Sequence, residues 1–312
     1  MAATATKKTY AKKTPSVTTE GVEVVKIDIY ESITNRIVTA LESGVMPWLK
    51  PWGNKAVAGS SCRPLRSCGT PYSGVNVLQL WFTADEKGYT SPYWMTFNQA
   101  KEFKGSVRKG EKGTTVVYAS TFNKEQEQPD GTTVDKKIPF LKTYVVFNAD
   151  QIENLDEKYY VVAEKLPEVE RNEAVEKFYR CVGSDVTHTG NRAFYSATFD
   201  RITMPKPELF DDMGKYYSTL SHEHIHWTGG KAKLNRDLTG RFGSESYAME
   251  ELVAELGAAF VCADLGVTPE MQPEHAQYIA SWIKALKGDK RAIFTAASMA
   301  SRAVELLHSK QY

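Results

Sequence analysis

"STLSHEHIHWTGG" occupies residues 218–230 and packs three histidines and one glutamate into the five positions from His222 to His226. His222 and His226 bracket an H-E-x-x-H pattern. On a helix one turn separates them, so both imidazoles project to the same side and can share one divalent ion. Glu223 lies beside that face. It is placed to take a proton from water that the ion polarises, zinc bringing the pKa of such water towards ~7, and to pass it to a leaving amine. His224 points to the opposite side and is not expected to be a ligand. A motif this short also arises by chance on a wet surface helix, so the reading depends on whether the rest of the chain supplies a third ligand.

The third ligand is sought in "YAMEELVAELGAAF", residues 247–260. Glu251 and Glu255 are four apart and share a helix face, while Glu250 is rotated away by one residue step. Ala248, Ala258 and Ala259 are small enough to let this helix approach the first closely. A catalytic zinc commonly keeps three protein ligands and one open position. Glu251 is therefore assigned as the third ligand and Glu255 as a partner of a ligand histidine; Glu255 as the ligand is the alternative. "KLNRDLTGRFGSESY", 233–247, joins the two helices. Its Asn235, Arg236, Asp237 and Arg241 either brace the site or form a charged loop. Zn2+ is the expected cofactor, with another first-row divalent ion as the alternative.

Working outward, residues 1–20 are small, polar and basic and read as a disordered tail. Ile27, Tyr30, Ile33, Ile37 and Leu41 recur at helical spacing, and that helix ends near Gly44. "VMPWLKPW", 45–52, has two prolines and cannot be a helix interior. "YSGVNVLQLWF", 72–82, is an apolar run of open type. "TFNQAKEF", 96–103, begins a helix with Thr96 as N-cap and Gln99 at the capping-box position. Residues 114–122 and 142–152 read as strands. Past residue 156 the pattern is a helix over 166–183, one or two short strands over 191–205 with Phe194, Phe199 and Ile202 as core, and helices near 210–228, 245–264 and 272–308, the last broken near Gly288. The fold class is α+β throughout: a basic tail (1–20), a first domain over 21–155, and a second over 156–312 made of a small sheet followed by helices.

Composition narrows the function classes. The chain has 312 residues, 42% of them apolar, enough for a large core. Its four cysteines form neither a Cys-x-x-Cys pair nor a disulfide framework, which predicts reduced thiols in a cytoplasmic protein. No apolar run approaches the ~20 residues of a spanning helix, and no signal peptide is expected. Residues 1–155 carry 20 Lys/Arg against 15 Asp/Glu, whereas 156–312 carry 19 against 23. Between Gly44 and Val117 there are 10 basic and 4 acidic residues, interleaved with aromatics. Basic grooves with aromatic platforms bind single-stranded nucleic acid. The candidate contacts are Trp48, Lys50, Trp52, Arg63, Arg66, Tyr72, Arg108, Lys109 and Lys112. Trp81 and Trp94 are assigned instead to the core. The alternative for this half is a protein-docking module.

The strings "IVTALESGVMPWLKPW", "PYSGVNVLQLW", "WMTFNQAKEFKGSVRKGEKGT" and "VVFNADQIENL" resemble the N-terminal single-stranded-DNA-binding domain of the ArdC antirestriction family of plasmids and phages, a domain shared with TraC-type primases. "YYSTLSHEHIHWTGGKAKLNRDLTGRFGSESYAMEELVAELGAAF" resembles that family's zincin-like metallopeptidase domain. The resemblance implies a protein of the bacterial cytoplasm that protects incoming DNA from restriction, with single-stranded DNA as partner and a host protein as a further candidate substrate. It implies Glu223 as the general base, His222 and His226 as ligands, and Glu251 as the acidic ligand. Two departures stand out. The family often has Arg-Asn before "YSG", where this chain has Arg66-Ser67, and it often has a small or apolar residue where this chain has His224. Two rivals remain: a DNA-protecting protein whose metal only holds the fold, and an effector protease whose front half docks protein.

Overall fold

The computed structural model describes residues 28–49, 62–127, 133–160, 168–241, 244–269 and 277–311. Helix α1 (Ile29–Glu42) opens them, its N-cap Asp28 accepting from the backbone of Tyr30 and Glu31. Strand β1 (Leu65–Arg66) follows, then helix α2 (Val75–Lys87), strand β2 (Tyr93–Thr96) and helix α3 (Phe97–Glu102). The run whose type was open is thus a helix. The capping box of α3 forms as the sequence predicts: the Thr96 hydroxyl accepts from the Gln99 backbone, and the Gln99 side chain accepts from the Thr96 backbone.

Short β3 (Ser106–Val107) leads into a long hairpin of β4 (Thr114–Glu127) and β5 (Thr133–Asn148), and β6 (Ile152–Glu153) returns to pair with β3. The main sheet has the order β1-β2-β5-β4, which leaves β4 at an edge. Asn76, near the start of α2, occupies that edge. Its amide oxygen accepts from Val117 N at 2.8 Å and its amide nitrogen donates to Val117 O at 2.8 Å. A side-chain amide stands where a further strand would pair, one way to blunt an exposed edge.

The second half begins with α4 (Glu168–Val182). The three-stranded sheet that follows is built from β7 (Asp185–His188), β8 (Phe194–Ser196) and β9 (Arg201–Met204). Its order is β7-β9-β8, with β7 parallel and β8 antiparallel to β9. Four helices complete the described chain: α5 (Met213–Thr228), α6 (Glu245–Leu265), α7 (Ile279–Gly288) and α8 (Ala292–Ser309). The break near Gly288 separates the last two. None of the described helices is long and apolar enough to cross a membrane.

The sequence divides the chain near residue 156, but the packing does not stop there. One apolar cluster takes in α1, Trp48 and α2 together with α5, α6 and α8. Trp48 meets Trp282 with ring centroids 6.0 Å apart, and Trp81 meets Phe260 at 5.8 Å. Arg63 spans the same boundary, donating to both carboxylate oxygens of Asp264 at 2.7 Å. A smaller second cluster around Met95, Ala149 and Ile152 is built from the front half and closed by Tyr159 just beyond the division. Trp81 and Trp94 are buried, as expected of core residues.

Candidate metal centre

Helix α5 carries the two histidines because its ends are well defined. The Asp212 side chain accepts from Lys215 N at its start, and Gly229 and Gly230 follow its last turn. Helix α6 starts at the N-cap Ser244, which accepts from Tyr247 N. The two helices approach closely at Gly257, where an added Cβ would lie 2.8 Å from Ile225 Cγ1. No larger residue fits that contact without a shift, so Gly257 sets the distance at which α6 faces the histidines.

His222 Nε2 and His226 Nε2 are 3.1 Å apart. The Glu251 oxygens lie 3.4 Å from the first and 3.7 Å from the second. The three side chains can therefore offer ligand atoms that all fall within 4.8 Å of one another. Donors ~2.0–2.1 Å from a tetrahedral zinc sit about 3.4 Å apart. The three separations bracket that value, and two imidazole nitrogens with one carboxylate suit a borderline-soft divalent cation.

The far side of each imidazole also has a carboxylate. His226 Nδ1 is 3.2 Å from Glu250 Oε1, and His222 Nδ1 is 3.7 Å from Glu255 Oε1. An acid at Nδ1 keeps the proton there and leaves Nε2 free as a donor to metal. Glu250 is itself held by Arg236, whose Nη2 and Nε donate to its two oxygens at 2.8 and 3.0 Å. Arg236 also donates to the backbone oxygen of Ile225 at 2.7 Å, which ties the connecting loop to α5 between the histidines. Burial alone would lower the pKa of His226. The hydrogen bond with Glu250 and the charges of Glu251, Glu250 and Glu223 outweigh it and bring it to about 9. The surroundings thus favour a positive charge at this spot, which a bound cation also supplies.

His224 faces away. It is wholly buried, bonded to Ser184 Oγ at 2.8 Å and Leu220 O at 2.7 Å, and packed against Tyr179 with the rings tilted and their centroids 4.3 Å apart. Burial pushes its pKa down to about 4, so it is a neutral packing residue.

A cleft of about 830 Å³ opens over His222, Glu223, His226, Glu250 and Glu251. Glu223 is nearly buried yet lines this cleft. The residues that sequence reasoning missed here are Glu250, one step round the helix from the expected face, and Tyr247. Tyr247 lines the cleft and hydrogen-bonds Glu251 and Tyr278.

The expected nucleic-acid contacts fare differently. Trp48 is 0% exposed against Trp282 and offers no ring face to a base. Arg63 is buried in its pair with Asp264, and Tyr72 is buried with Arg66 stacked 5.5 Å from its ring centre. These three belong to the fold, because the packing of the second half covers them or their neighbours. Lys50 and Trp52 lie outside the described residues. Arg66, Arg108, Lys109 and Lys112 are exposed, with Arg108 paired to Glu111 at 2.8 Å. The exposed rings are elsewhere. Tyr118 (51% exposed) and Tyr144 (45%) stand on the β4–β5 hairpin with centroids 6.5 Å apart. Phe140 lies 6.3 Å from Tyr118, with Lys142 Nζ 5.3 Å from the Phe140 ring centre.

Comparison with known proteins gives first the class, then the family. Residues 173–299 match the family described as zincin-like metallopeptidase, and residues 27–147 match the N-terminal domain of the anti-restriction factor ArdC. The solved metal-free structure of the antirestriction ArdC protein from the R388 plasmid is 44% identical, with a TM-score of 0.76 over 91% of this chain and 98% of that one. The Mn(II)-bound structure of the same protein gives 43% and 0.74 over the same shares. The uncharacterized protein y4eC of Sinorhizobium fredii is 39% identical over 95% of this chain and 96% of its own. DNA primase TraC of Escherichia coli is 35% identical over 89% of this chain, which matches only 27% of the primase's length. The chain belongs to the ArdC antirestriction family.

Proposed function

We propose that the protein is a metal-dependent peptidase that also binds single-stranded DNA and guards incoming DNA against restriction. The peptidase reading rests above all on one observation: His222, His226 and Glu251 converge at ligand spacing beside a fourth acid, Glu223, that lines the same cleft. A site that only held the fold would have no use for that acid. In this reading His222, His226 and Glu251 hold the ion, Glu255 and Glu250 orient the two imidazoles, and Arg236 fixes Glu250. Zinc is the ion the donor set suits best, and the Mn(II)-bound R388 relative supports a first-row divalent metal.

When bound, the ion supplies Lewis acidity, polarising a peptide carbonyl and making water acidic. Glu223 takes one proton from the attacking water as its oxygen bonds to the carbonyl carbon. It returns that proton to the nitrogen as the C–N bond breaks, giving a carboxylic acid and an amine, and the acid's remaining proton passes to the amine to leave carboxylate and ammonium. Among the described residues strand β8 pairs with β9 alone, so its other edge can hold an extended polypeptide by backbone hydrogen bonds.

Single-stranded DNA is proposed to lie along the β4–β5 hairpin. Tyr118, Phe140 and Tyr144 offer rings for stacking and Lys142 a cation, with Arg66, Arg108, Lys109 and Lys112 as further cations of the same half. The test is fluorescence anisotropy of the full-length protein with a labelled oligo-dT and with a duplex of equal length, across a salt series. Tighter binding of the single strand, weakening steeply with salt, is expected. Equal affinity for the two would reject the DNA reading in favour of protein docking.

A further inference from the structure

Phe194 and Phe199 are expected in the core, yet they stand 49% and 77% exposed, and Leu209 stands 65% exposed. All three come from the short stretch 194–209, and two of them, Phe194 and Leu209, line the cleft over the metal centre, as does Phe210. Clustered apolar side chains left in solvent mark a place where something apolar binds. The surface that carries them is braced. Strand β8 is paired to β9, and Tyr195 donates to Asp200 at 2.8 Å. Asp200 also accepts from Lys233 at 2.5 Å, and Phe210 packs on Tyr216 at 5.4 Å. A braced apolar wall keeps its shape for an incoming side chain.

The charges of the cleft narrow the partner. Glu223, Glu250, Glu251 and Asp237 line it alongside Arg192, and with Arg236 on Glu250 and a divalent ion bound these charges nearly cancel, so the cleft offers a phosphate backbone no cation cluster, and a peptide carboxylate set against the apolar wall would lose water without gaining a partner. We infer that this cleft selects extended polypeptide segments presenting a large apolar side chain, with Phe194 and Leu209 as the residues that determine the choice. The inference rests on the peptidase reading for its setting, but its test does not require hydrolysis.

The probe is a set of fluorescent ten-residue glycine–serine–alanine peptides with phenylalanine, leucine, serine or aspartate at the centre. They are titrated into full-length, zinc-loaded Glu223→Gln, a variant that retains the cleft without the proton acceptor. The phenylalanine and leucine peptides should bind at least about tenfold tighter than the serine peptide, and the aspartate peptide weakest. In Phe194→Ser combined with Leu209→Ser the ratio should fall below about threefold, with circular dichroism and zinc content unchanged. A flat series, no binding by any peptide, a preference that survives both substitutions, or displacement of the peptides by oligo-dT would overturn the inference. If wild-type protein cleaves nothing while the preference persists, the peptidase reading fails and the selectivity stands. If cleavage occurs without preference, the selectivity alone fails.

Discussion

The α5–α6 centre and the front-half surface were both read from residue types, and only the first reading transfers directly to three dimensions. In α5 the histidines share one helix, so the 3.6-residue period alone brings His222 and His226 side by side. In the front half the same kind of inventory, aromatics among cations, says nothing of which rings face water. Trp48 and Arg63 satisfy the compositional criterion, yet they pack against Trp282 and Asp264 from the other half. Spacing on a single element constrains geometry, whereas composition over seventy residues does not.

The largest expected effect sharpens that contrast. Glu223→Gln should reduce peptide hydrolysis by about 10²–10⁴-fold, the usual contribution of a positioned general base, and keep its metal. Hydrolysis that survives this change, measured on a substrate the wild type cleaves, would remove Glu223 from the mechanism. Next come the two misassigned contacts. Trp48→Ala should destabilise the protein by about 3–5 kcal/mol, as loss of a buried aromatic does. Arg63→Ala should cost less, about 1–3 kcal/mol, because Asp264 loses the guanidinium but keeps His308 Nε2 at 2.8 Å. Denaturant unfolding of the full chain measures both. If either variant loses DNA affinity with unchanged stability, the assignment of these residues to the fold is wrong.

On the DNA side, Tyr118→Ala and Tyr144→Ala should each weaken single-strand binding by about 1–3 kcal/mol per stacked base and leave the salt slope nearly unchanged. Replacing Lys109 and Lys112 with alanine should instead flatten that slope by about 0.7 per lost phosphate contact. If the tyrosine pair changes the slope and the lysine pair does not, the two sets have been given the wrong roles. An effect of similar size is expected at the supporting acid: Glu250→Gln should weaken metal binding by about 10–100-fold, with the ion still retained at saturating concentration. A loss as complete as that from a ligand substitution would make Glu250 a ligand rather than a support.

Much of the helical framework was legible. The Thr96–Gln99 capping box, the break at Gly288 and the start of α6 at Glu245 all follow from local chemistry that tertiary packing does not override. What escaped needed knowledge of neighbours. Glu250 is off the Glu251/Glu255 face, but α5 and α6 run past one another in opposite directions, so His222 meets Glu255 and His226, one turn further on, meets Glu250. Phe194 and Phe199 are apolar as core residues are, but apolar character cannot distinguish the interior from a cleft wall, where Phe194 stands, or from an exposed turn, where Phe199 stands. The division at residue 156 reflects composition, while Trp48, Trp81 and Arg63 join the two halves in one core, so a chain cut there would expose all three.

The central claim is that two α5 histidines and one α6 glutamate hold a single ion while Glu223 stays free for proton transfer. Metal content per chain, measured side by side by elemental analysis on wild type, His222→Ala, Glu251→Gln and Glu223→Gln after dialysis against equal zinc, tests it directly. The account predicts one ion per chain in wild type and Glu223→Gln and strong depletion in the other two. Full occupancy in His222→Ala or Glu251→Gln, or loss of the ion from Glu223→Gln, would contradict it.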